Sequence, residues 1–187
     1  MSELAVALVH YPVRNRAGET ITTSVTNLDV HDIARSARTY DVGRYYVVTP
    51  IEAQRRLVGR ILEHWIDGSG ARRIPERGEA LLRVACAESL ADAVADLTAR
   101  SGATPRVWVT GARAPDGVDV LDYASARATL REAPTLVVFG TGHGLSRDLV
   151  ASADAVIAPI EPEADYNHLS VRAAAAITLD RLASRPY

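Results

Sequence analysis

The chain has 187 residues, 48% hydrophobic and 24% charged, enough to bury one sizeable core and a better fit to a single domain than to two. All 21 basic residues are arginine and they face 23 acids, for a formal charge of -2. That balance argues against a protein that coats nucleic acid by bulk charge, but leaves room for a local arginine cluster that contacts phosphates.

The chain opens on MSELAVALVHYP, with an acid where a secretion signal would be basic. Its apolar run is too short for a membrane span and reads as a buried first strand. Short apolar runs then alternate with longer segments of helical period. This is the pattern of an α/β protein, a parallel sheet covered by helices on both faces. Strands are expected over residues 4–11, 44–49, 81–87, 106–110, 135–139 and 154–159, and helices over 29–40, 51–65, 89–101, 125–132, 146–151 and 170–183. Gly, Pro and charge make residues 67–79 a loop. Cys86 is the single cysteine, which rules out an internal disulfide and a thiolate metal cluster. It reads as a small core residue and suits a reducing cytoplasm.

Within the first helix, Val30, Ile33, Ala34 and Ala37 form an apolar stripe, while Asn27, His31, Arg35 and Arg38 line up on another side. A solvated face is the common explanation for such a polar row. Asn, His and Arg together also suit holding a phosphate or steering an acceptor atom. His31 and Asp32 are neighbours and point about 100° apart on a helix, with no further ligand at metal-like spacing, so no metal is expected.

Three late strands run into loops rich in Gly or Pro: VTGARA, FGTGHGLS and APIEPEADYNH. In a parallel sheet the ligand crevice lies at the carboxyl ends of the strands, so these loops should share one rim. Gly140, Gly142 and Gly144 alternate, which lets backbone turn with positive φ and approach a flat ligand, although an ordinary tight connection explains them as well. There is no Gly-Lys-Ser/Thr for a Walker loop, and the GxGxG spacing is not that of a dinucleotide fingerprint. Ser170 is a good N-cap for the last helix, whose Ala173 to Ala176 permit close approach by another backbone.

Five phrases together, LVHYPVRNRAGE, TNLDVHDIARSARTY, YYVVTP, FGTGHGLS and YNHLSVRAAAAITLDRL, resemble the SPOUT superfamily of knotted RNA methyltransferases. The likeness runs almost end to end with the family of S-adenosylmethionine-dependent RNA methyltransferases related to the C-terminal module of some tRNA (guanine-N1) methyltransferases. It implies a Rossmann-like sheet with a C-terminal deep trefoil knot, an exception to the rule that chains do not thread. It also implies a homodimer, S-adenosylmethionine bound in the knot, and a tRNA or rRNA substrate. By position, Thr110, Gly111 and Ala112 match the first knot loop. Phe139, Gly140, Thr141, Gly142, His143 and Gly144 match the second, and Ile157, Pro159, Ile160, Asn167, His168, Leu169 and Ser170 the third. Asn27 and Arg35 match acceptor-side residues of the related ribose methyltransferases, with His31 and then Asp32 as candidate proton acceptors. Those relatives carry a Glu in the second loop where this chain has Thr141, Gly142 and His143, so the methylated atom does not carry over. Two other readings stand: an α/β enzyme for a phosphorylated small molecule, and a catalytically silent RNA- or protein-binding knotted module.

Overall fold

The computed structural model describes residues 3–115, 117–161 and 165–184. Its centre is β1 (Leu4–Val9), six consecutive buried residues. Alternation sends Leu4, Val6 and Leu8 into one core and Ala5, Ala7 and Val9 into another on the opposite face. A strand buried on both faces needs such an unbroken apolar run. Each fully buried Val or Leu contributes about 1.5–3 kcal/mol relative to exposure.

Six more strands join it: β4 (Arg44–Val48), β5 (Val84–Ala87), β6 (Arg106–Val109), β7 (Val120–Leu121), β8 (Thr135–Gly140) and β9 (Ala155–Ile157). The order is β5-β4-β1-β8-β6-β9-β7, and every pairing is parallel. One face carries α1 (Asn27–Thr39), α2 (Glu52–Ile66), α4 (Pro75–Leu81), α6 (Tyr123–Thr129) and α8 (Val171–Ala183). The other carries α5 (Leu90–Ser101) and α7 (Arg147–Ala151). The expected α/β architecture is therefore present, with all strand carboxyl ends on one rim.

The stretch 67–79, expected as a loop, instead holds α3 (Ser69–Arg73) and most of α4. Its glycines serve packing rather than turning. A Cβ on Gly70 would lie 2.6 Å from the Trp65 ring, and one on Gly78 would lie 2.6 Å from the Trp65 carbonyl oxygen. Pro75 begins α4, where a missing N–H costs nothing. The strand expected from residue 81 starts at Val84, because Leu81 is buried as the last residue of α4. Cys86, expected in the core, is exposed, since β5 is an edge strand. Short elements went unforeseen: β7 and an antiparallel hairpin of β2 (Val13–Arg14) with β3 (Thr20–Ile21).

Candidate active site at the carboxyl rim

Register aligns the strand ends around the middle of the sheet: Val9 opposite Gly140, Val138 opposite Val109, and Val109 opposite Val156. Three of the loops that leave this rim are those singled out above. In the first, both the amide and the Oγ1 of Thr110 donate to Val138 O at 3.0 Å, which binds the loop to the neighbouring strand. Gly111 and Ala112 are exposed beyond it.

The third loop is tied back to the first by one side chain. Asn167 Nδ2 donates to Ile160 O at 2.9 Å and to Ala112 O at 3.4 Å. Ile157 is buried, while Pro159 and Ile160 are partly exposed. Tyr166 and His168 stack with centroids 6.2 Å apart, and both are exposed, as is Leu169. Ser170 Oγ accepts from Ala173 N at 3.3 Å, so it caps α8 as expected. Residues 162–164 lie outside the described set.

The second loop has a use that its glycine spacing did not announce. The hairpin lies across it: Arg14 N donates to Gly144 O at 2.8 Å, His143 N to Arg14 O at 2.9 Å and Ser146 N to Pro12 O at 3.1 Å. A Cβ on Gly142, whose φ is +60°, would stand 2.8 Å from Arg14 O, and one on Gly140 would stand 2.8 Å from Leu145 N. These glycines admit the protein's own backbone. Thr141 Oγ1 donates to Val9 O at 3.1 Å and hydrogen-bonds Thr23, whose Oγ1 in turn is 3.2 Å from His10 Nδ1. Phe139 is buried in the core below.

His10 was not singled out in the sequence, where it looks like the polar end of an apolar strand. It is fully buried, and its Nε2 has no hydrogen-bond partner among the described residues. Burial pushes its pKa down to about 4, against the opposing pull of Asp29. Asp29 was likewise passed over. It is buried, accepts Thr26 Oγ1 at 2.6 Å, and lies 3.7 Å from Arg172 Nε.

The polar row of α1 is divided among neighbours. Asn27 begins the helix and is exposed. His31 turns its ring edge to Trp65, centroids 5.5 Å apart, and its Nδ1 is buried without a partner. Burial, then the Arg77 and Arg35 charges, lower its pKa against the opposing effect of Asp32. Arg38 Nε donates to Glu79 at 2.7 Å. Asp32 and Arg35 instead line a groove of about 790 Å³ between α1 and α8, together with Ser170, Arg172, Ala173 and Ala176. Arg172 Nε is 3.8 Å from Asp32, which ties this acid to the last helix. A second cleft of about 350 Å³ lies at the β5 edge of the sheet, beside Arg44, Tyr46 and Cys86. No cluster of three or more His, Cys, Asp or Glu fit to hold a metal occurs among the described residues. No helix among them is long and apolar enough to cross a membrane.

The family described as SAM-dependent RNA methyltransferase matches residues 3–184. The chain belongs to that family. It is 46% identical over 179 residues to a tRNA (guanine-N(1)-)-methyltransferase of Oleidesulfovibrio alaskensis, covering 96% of this chain and 41% of that one. A counterpart in Nitratidesulfovibrio vulgaris is 48% identical over the same length, again covering 41% of the relative, so the chain spans under half of these curated relatives. An uncharacterized protein of Aquifex aeolicus is 40% identical over 180 residues, covering 88% of its length. Among solved structures, a probable methyltransferase from Bordetella pertussis superposes with TM-score 0.62 at 17% identity, over 97% of this chain and 94% of that one. The SpoU methyltransferase AviRb from Streptomyces viridochromogenes gives 0.59 at 17% identity, over 97% and 58%. At such identities the likeness speaks for the fold alone, a parallel α/β sheet flanked by helices.

Proposed function

We propose that this methyltransferase-family chain transfers a methyl group from S-adenosylmethionine to RNA, tRNA or rRNA, as a cytoplasmic homodimer with a knotted C-terminal part. The observation that carries this reading is the Asn167 tie between the first and third rim loops. It stands where β9 has been laid between β6 and β7, so that the connection from β6 to β7 passes the strand end from which the third loop leaves. That crossing supports the knot.

The residues fit the donor. Pro159, Ile160 and Leu169 leave apolar surface for a purine, and the exposed residues Gly111 and Ala112 offer backbone groups for its edges beside the Ala112 carbonyl that Asn167 holds. Loop 140–144 contributes only what the hairpin leaves free, and Phe139 and Ile157 only their backbone. His168 and Ser170 complete the third loop. S-adenosylmethionine supplies a methyl group already activated on a sulfonium, so the chain's task is alignment and removal of the acceptor's proton.

Arg35 and Asp32 are the acceptor-side residues the geometry favours, because both line the groove that reaches Ser170. Arg35 is exposed and positions the acceptor nucleotide. Asp32 takes its proton, and Arg172 holds the carboxylate in place. His31 faces Trp65 and supports the helix, and Asn27 stands at the helix start beside the rim. Exposed Leu28, Tyr166 and Leu169 give a second copy an apolar edge on which to dock.

The test is calorimetry with S-adenosylmethionine, followed by transfer of labelled methyl to unfractionated tRNA and rRNA. One donor site per chain and label in RNA are expected. Arg35→Ala and Asp32→Asn should both keep donor affinity; Asp32→Asn should lose at least about a hundredfold in rate, the usual contribution of a proton-transfer group, and Arg35→Ala should lose rate through a misplaced acceptor. No donor binding would favour a phosphorylated small-molecule ligand. Donor binding with unchanged rates in both variants would remove these roles.

A further inference from the structure

Arg14 is held with unusual firmness for a residue on a two-residue strand. Its amide and carbonyl are both engaged by loop 140–146, at 2.8 Å to Gly144 O and 2.9 Å from His143 N. The isolated bridge of Val13 with Leu145 extends the same seam. The chain also spends two positive-φ glycines there: Gly142, where any Cβ would strike Arg14 O, and Gly144, where a Cβ would stand 3.7 Å from Arg14 Nη2. The guanidinium therefore lies against the second rim loop. His10, Thr23 and Thr141 fasten the hairpin from the other side, below the loop.

Among the described residues no hydrogen bond or ion pair holds the guanidinium. Its Nε is buried without a hydrogen-bond partner. Arg38, Arg55, Arg56, Arg83, Arg100, Arg106 and Arg172 each pair with a carboxylate, whereas Arg14 pairs with none among the described residues; Arg44 shares a buried, unpartnered Nε but stands at the amino end of β4, while Arg14 stands against a rim loop. The nearest acid along the hairpin, Glu19, is taken by Asn15, whose Nδ2 donates to it at 2.7 Å. A partly desolvated arginine lacking an anion costs free energy that an incoming phosphate returns, and its planar fork suits two phosphate oxygens.

We propose that Arg14 is a phosphate-binding residue for the RNA backbone, placed by the hairpin beside the second rim loop. The inference rests on the RNA methyltransferase reading above and deepens it. It gives a chain of net charge -2 a local means to hold a polyanion without a basic surface. It also accounts for Gly142, which leaves room for the Arg14 carbonyl and so brings this cation to the rim.

The experiment measures binding of unfractionated bacterial tRNA to the full chain across a salt series, for wild type, Arg14→Gln and Arg14→Lys, with donor-product binding followed by calorimetry. Arg14→Gln should weaken tRNA binding about tenfold. It should also lower the slope of log affinity against log salt by about 0.7–0.9, one phosphate contact. Arg14→Lys should retain the slope, and both variants should bind S-adenosylhomocysteine as wild type does, which also certifies their fold. Wild-type affinity and slope in Arg14→Gln would overturn the inference alone. Lost S-adenosylhomocysteine binding with intact tRNA binding would overturn it in favour of the donor's carboxylate as the anion. A wild-type chain that binds no tRNA at any salt overturns the RNA reading itself.

Discussion

A fully buried histidine with an unpartnered Nε2 makes stability depend on pH in one direction. His10 is held at about 4 in the folded chain against an ordinary value of 6.5, so the unfolded chain binds the extra proton first. Stability from this group is whole above pH 6.5 and is lost as pH falls toward 4. The loss amounts to about 2 kcal/mol by pH 5 and about 3 kcal/mol in all. Urea unfolding at pH 7 and pH 5 should show that drop, and His10→Gln should flatten it; a wild-type curve flat over the interval would refute the assignment. Nothing in the sequence marked His10 or Asp29, because a polar residue at the end of an apolar strand looks like the strand simply leaving the core. The row Asn27, His31, Arg35 and Arg38 was legible from its spacing. Its division was not: helical period sorts residues into faces, but Trp65, Glu79 and α8 decide what each face meets.

Among the loops, Asn167 is the side chain that joins two of them. Its side chain donates to two carbonyls on different loops, and such bonds are worth about 0.5–1.5 kcal/mol each. Asn167→Ala should therefore weaken S-adenosylmethionine binding about tenfold and lower stability by no more than those two loop bonds, about 1–3 kcal/mol. Unaltered donor affinity would take the tie out of the binding site. The six long strands and most helices followed from apolar runs and 3.6-residue period. Residues 67–79 did not, because Gly70 and Gly78 signal turns by composition while serving as contact points for Trp65. The hairpin and β7 were also hidden, as two-residue strands are too short to show a period.

For the whole molecule, the consequence to check is assembly. Leu28 on α1 is 60% exposed, and Leu169 and Tyr166 before α8 are 43% and 77% exposed, an apolar margin to the α1–α8 groove. If a second copy covers it, Leu28→Asp should turn a dimer into a monomer in light scattering. The monomer itself should lose little stability, because the residue is already in water. A monomeric wild type, or a dimeric variant, would rule out this face. The α/β class and the sharing of one rim by three loops were both readable in advance. Strand order was not, and it is the placing of β9 between β6 and β7 that brings residue 167 to residue 112.

The parallel sheet, the helices on both faces, the capped last helix and the membership in a methyltransferase family were all legible in the chain, because each rests on local period or on phrases of adjacent residues. Only the folded chain shows that the second loop receives a hairpin, that His10 is buried, and that Asp32 and Arg35 share a groove with Ser170 while His31 does not. Those are contacts between residues far apart in the chain. Their energies depend on which neighbour occupies a face, which no local pattern encodes.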